Sequence, residues 1–123
     1  MSNDEVAKAQ DQLDNNAGQS APTPTALQVS DAEAAAVQKT PNRVTLESIE
    51  AKIEFVEYIN PTSAPHVTLA FVKLKNGFVL TGLSAPADTE NFNAELGKKF
   101  SYEKAVRQVW EHEGYLLCEK LAA

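Results

Sequence analysis

A single cysteine, Cys118, stands in the whole chain of 123 residues. That excludes an intramolecular disulfide framework and any multi-thiolate metal site within one chain. Histidine is nearly as scarce, at two, and Glu111-His112-Glu113 lacks the histidine pair at i and i+4 that a helical zinc site requires. No apolar run approaches the roughly 20 residues needed to cross a bilayer, so no membrane partner is expected. Bases are outnumbered, 11 against 17 acids, for a formal net charge of −6. A field of that sign repels phosphate backbones, so no DNA or RNA partner is expected either. Glycines are too dispersed for a phosphate-cradling loop, and no serine sits in a nucleophile elbow. Carboxylates are plentiful but lack the apolar surroundings that tune a general acid or base. The chain is therefore not expected to be an enzyme, and no cofactor or metal is expected.

Aromatic residues are absent from the first 42 positions, so all nine fall in the remaining 81. The front segment is built from Ala, Gln, Asn, Ser, Asp and Thr, with Pro22, Pro24 and Pro41. It cannot bury enough apolar surface to offset its ordering entropy, and residues 1–42 read as a mostly disordered acidic tail. Asp4–Leu13 and Asp31–Lys39 have the alanine content of marginal helices. Acids stand where a secretory signal carries its basic n-region. With one unpaired cysteine, a cytosolic setting is expected.

Residues 43–123 read as one small α+β domain. Thr45 is a good N-cap, and Leu46, Ile49 and Ile53 share a helical face, which predicts a short helix. Glu54–Ile59 predicts a strand. The segments His66–Lys75 and Phe78–Ser84 flank Asn76-Gly77, the signature of a two-residue hairpin turn. Such a turn opposes Leu74 to Val79, Val72 to Thr81 and Phe71 to Gly82. A helix capped by Asp88 or Thr89 is predicted over 89–112, with Gly114 bending the chain into a second helical segment to Leu121. The expected architecture is a short helix, a small antiparallel sheet and a C-terminal helical hairpin behind a disordered tail. At 81 residues a single core is barely sufficient, which points to a homo-oligomer with helices supplying the interface.

The remaining polar groups cluster around the long helix. Asn91 is expected in its first turn, where free amides and the helix dipole favour phosphate. Lys99 and Arg107 lie about two turns apart; Arg107 offers a planar fork and Lys99 a point charge. Ser84 joins Asn91 as a hydrogen-bonding group for base or ribose, and Phe78 or Phe92 as a stacking surface. Read together, Phe78, Ser84, Asn91, Lys99 and Arg107 form a small anionic nucleotide site. The simpler arrangement pairs both cations with Glu95, Glu103 and Glu111 on the same helix.

Three ordered stretches carry a resemblance: Leu74-Lys75-Asn76-Gly77-Phe78-Val79-Leu80-Thr81-Gly82, then Asn91-Phe92-Asn93-Ala94-Glu95-Leu96-Gly97-Lys98-Lys99, then Ala105-Val106 through Trp110 with Glu113-Gly114-Tyr115-Leu116-Leu117. From near Arg43 to the C-terminus the chain resembles the small phage protein family typified by product 49 of phage N4 and gene 66 of phage Sf6. More distantly it is similar to the first-described Thoeris anti-defence proteins, phage sponges for cyclic ADP-ribose-type immune signals, some of which also hold CBASS cyclic oligonucleotides. The resemblance implies a phage accessory protein acting in the bacterial host's cytoplasm, assembled as a dimer or larger oligomer. It implies sequestration of a cyclic nucleotide without catalysis, with Asn91 and Arg107 at ligand-contacting positions. The alternative is a protein–protein interaction module that inhibits or redirects a host enzyme; a virion component fits less well.

Overall fold

The computed structural model describes residues 25–123. Six segments of regular structure precede one long helix: α1 (Ala26–Ala36), α2 (Leu46–Glu50), β1 (Ile53–Ile59), β2 (Thr68–Leu74), β3 (Val79–Ser84) and a 3₁₀ turn (Thr89–Asn91), then α3 (Ala94–Ala122). The strands form an antiparallel meander in the order β1-β2-β3. The fold is α+β, as the sequence predicts. α3 lies across one face of the sheet, and Ile49, Val72, Leu80, Val106 and Val109 make the centre of the core. Trp110 ties α3 to the segment before α2 by donating from Nε1 to the Val44 carbonyl at 3.1 Å.

The hairpin is present, but its register differs by one residue from the expected one. Val72 opposes Leu80, Phe71 opposes Thr81 and Ala70 opposes Gly82. The loop has three residues, Lys75 to Gly77: the Leu74 N–H donates to Phe78 O at 2.8 Å and the Gly77 N–H to Leu74 O at 2.9 Å. Gly77 takes the positive φ, 94°, that such a loop needs. Packing decides the register. It puts Leu80 and Gly82 on the same face as Ala70 and Val72, all of them buried, whereas a two-residue loop sets Thr81 against Val72. Gly82 has a second constraint, since a Cβ there would collide with the Ser101 carbonyl of α3 and come within 2.8 Å of the Ala105 nitrogen.

The C-terminal helical hairpin is not formed. α3 is a single helix of 29 residues, and Gly114 stays inside it. One glycine costs about 1 kcal/mol in a helix interior and does not by itself reverse a chain. The start differs too. Asp88 caps only the 3₁₀ turn, its Oδ1 accepting from Glu90 N at 2.9 Å, and a second cap, Asn93, opens α3 by accepting from Leu96 N at 2.9 Å.

Order also reaches back into the segment expected to be a tail. α1 begins with a reciprocal cap between Thr25 and Gln28 and buries Leu27 in the core. Asp31 Oδ1 accepts from Arg43 Nη1 at 2.8 Å and from Leu46 N at 3.1 Å, which docks α1 onto the start of α2. The folded part therefore crosses the expected boundary at Asn42. A helix expected no earlier than Asp31 starts at Ala26, because one leucine and one aspartate supply the tertiary contacts that composition alone hides. The expectation for Asp4–Leu13 lies outside the described residues.

The outer edge of the sheet is closed on one side. In this register the carbonyls of Thr81 and Leu83 point away from β2. They accept from Gln108 Nε2 at 2.6 Å and Lys104 Nζ at 2.9 Å. Four residues of helix and two of strand both advance about 6 Å, so successive turns of α3 reach alternate carbonyls of β3.

Candidate functional site

A hollow of about 190 Å³ opens where β3 ends and α3 begins. The chain arrives from Ser84, turns through Ala85 and Pro86, makes the 3₁₀ turn and enters α3 at its Asn93 cap. Across from it, Asn60 donates from Nδ2 to the Val67 carbonyl at 2.7 Å and to Thr68 Oγ1 at 3.1 Å, fixing the stretch that carries His66. Gly97 lets α3 close against Thr68, whose hydroxyl occupies the space a Cβ would need. Ser84, Asn91, Asn93 and His66 line the hollow with Phe92 and Phe100. Polar side chains and two aromatic rings thus border one small hollow.

Two of the five expected site residues meet here, Ser84 and Asn91. Asn91 does so from the 3₁₀ turn rather than from the first turn of the helix. The other three line no part of it. Phe78 lies at the far end of β3, about 20 Å along the strand from Ser84, with its ring 5.3 Å from that of His112. Arg107 is seven residues beyond Phe100, almost on the same stripe of α3 and about 10 Å further along its axis. Lys99 is exposed on another side of the helix. No lysine or arginine lines the hollow. The neighbouring cations are engaged elsewhere: Lys98 lies 5.7 Å from the centre of the Tyr58 ring, and Lys104 holds the Leu83 carbonyl.

The simpler expectation, cations paired along α3, is not formed among the described residues. Glu103, one of its proposed acids, is buried instead, and its Oε2 has no hydrogen-bond partner among the described residues. His66, Asn93 and Phe100 were missed as lining residues. Asn93 was readable as a helix cap from its spacing to Leu96. His66 was not readable, since only the strand pairing brings it beside α3.

Perturbed acids lie away from the hollow. Hydrogen bonds from the Arg43 guanidinium and then the Leu46 amide hold Asp31 below the usual carboxylate range. Burial, then Asp31 and Glu47, push Glu50 up. Burial also raises the Tyr102 phenol, with Glu50 adding to it. Among the described residues no group of three or more His, Cys, Asp or Glu could hold a metal ion, and no helix is long and apolar enough to cross a membrane.

A family model described as phage protein (N4 Gp49/phage Sf6 gene 66) family matches residues 44–121, and the chain belongs to that family. The match spans α2, the sheet and nearly all of α3, and leaves out α1. Neither the curated proteins nor the solved structures compared with the chain gave a match.

Proposed function

We propose that this member of a phage protein family is an accessory protein that binds a cyclic nucleotide immune signal, of cyclic ADP-ribose or cyclic oligonucleotide type, and holds it without turnover. The observation that carries the reading is the meeting of Ser84 and Asn91 with Phe92 and Phe100 in one hollow. Amide and hydroxyl groups beside two rings suit a base or a ribose. At about 190 Å³ the hollow is smaller than the roughly 300–1,000 Å³ of sites that enclose a whole small ligand. A cyclic nucleotide therefore extends past it. Arg107, two turns along the same stripe, supplies charge for a phosphate. The protein acts in the cytoplasm of the infected bacterium, countering host defence by depleting the signal.

Titration calorimetry with cyclic ADP-ribose isomers and cyclic di- and trinucleotides tests this. Micromolar or tighter binding is expected, with the ligand recovered intact by chromatography. Asn91→Ala is expected to weaken binding about tenfold, and Arg107→Ala by about 1.5–3 kcal/mol if it meets phosphate. Unchanged affinity in the Arg107 variant removes that residue from the site. No binding by any of these nucleotides overturns the proposal and leaves the interaction-module alternative.

A further inference from the structure

The sheet has a second face that nothing in the described chain covers. Facing away from α3 are Phe55, Glu57 and Ile59 of β1, Leu69, Phe71 and Lys73 of β2, and Val79, Thr81 and Leu83 of β3, set side by side by the register. An antiparallel sheet with one solvated face normally alternates apolar inward and polar outward. Here six of the nine outward residues are apolar, and Phe55 is 54% exposed, Leu83 51%, Ile59 43% and Val79 41%. A domain built as packed layers does not leave a sheet face of this composition in water.

We infer that this face is the contact between two copies of the chain, which pack sheet on sheet with α3 outermost on each side. Three observations choose a second copy. Three strands of six or seven residues make a face of about 14 by 23 Å, or roughly 600 Å² of accessible surface once side-chain relief is included. Two such faces bury about 1,200 Å², the lower bound for a specific, stable interface. Glu57 and Lys73 on this face are opposite in sign and lie on adjacent strands, because Glu57 opposes Phe71 and Lys73 opposes Phe55. A two-fold axis can therefore set each Glu57 against the Lys73 of the other copy. Lys73 is free to exchange partners, since its contact with Glu54 is long, 3.8 Å, and both side chains are about half exposed. Finally, Lys104 and Gln108 occupy the outward carbonyls of β3, which steers association to the face rather than to that edge. The interface thus falls on the sheet and not on the helix. It does not depend on the nucleotide reading.

Light scattering coupled to size exclusion, on the full chain at about 10–100 μM, reads the state directly. A mass of twice 13.4 kDa is expected. Phe55→Asp combined with Leu83→Asp is expected to give the monomer with an unchanged helical circular dichroism spectrum. Glu57→Lys and Lys73→Glu are each expected to raise the dimer dissociation constant about tenfold, and their combination to restore it; this pair decides the matter if the aspartate variant unfolds. Leu116→Asp with Leu121→Asp, on the free end of α3, is expected to leave the dimer intact. A monomeric wild type at 100 μM overturns the inference. So does a dimer that survives both sets of sheet variants, or one lost only when the end of α3 is changed.

Discussion

The two faces of the sheet obey different rules although they are made by the same strands. Under α3 the fit is close: Ala70, Val72 and Gly82 are buried, and Gly82 has no room for a single extra carbon. On the other side, equally apolar residues stand in solvent within the described chain. Hydrophobicity alone therefore does not distinguish a core face from an interface. Shape does, since only the inner face carries the small residues that let a helix approach.

The sharpest way to break this contrast is Gly82→Val, which drives a branched side chain into the backbone of α3. A loss of about 3 kcal/mol or more is expected, read as collapse of the thermal transition. Thr81→Val, one position along and facing out, is expected to stay within about 0.5 kcal/mol when measured at monomer concentrations. Should both behave alike, the distinction between the faces fails. Leu27→Ala comes next, at about 2 kcal/mol or a fall of roughly 10 °C in Tm, because α1 hangs on that side chain. Val29→Ala, half-exposed on the same helix, is expected to change little.

The smallest effects are electrostatic and opposite in sign. Asp31 has a depressed folded pKa, so it adds stability above its unfolded pKa and loses it as the pH falls through the folded one. Asp31→Asn is expected to lower Tm at pH 7, with the difference from wild type shrinking as the pH falls below the usual carboxylate range. Glu50 has a raised folded pKa, so it subtracts stability at neutral pH and returns it as it protonates. Glu50→Gln is expected to raise Tm by about 1–2 °C at pH 7, and by nothing once the pH drops below the usual carboxylate range.

The fold was largely readable from local patterns, and the errors share one cause. Thr45 as a cap, β1 and the hairpin all followed from short-range signals. The register did not, because Asn76-Gly77 suits a two-residue loop by itself, while Leu80 and Gly82 had to meet a helix more than a dozen residues downstream. Gly114 reads locally as a break, but the helix formers on both sides of it offset the cost of one glycine and carry α3 through. Alanine content marks a marginal helix from Asp31, but the start of α1 at Ala26 and its docking are not legible locally, since Leu27 and Asp31 act through residues 12 or more positions away. The candidate site divided similarly. Ser84 and Asn91 were close in sequence and proved close in space, whereas grouping Phe78 with them ignored the length of β3.

The bonds from Lys104 and Gln108 to the border of β3 have one more consequence. With the Thr81 and Leu83 carbonyls already engaged, a foreign strand meets fewer free acceptors along β3 than a bare edge would offer. A ribbon with one guarded margin disfavours growth by strand addition in that direction, and with it extension into a fibre.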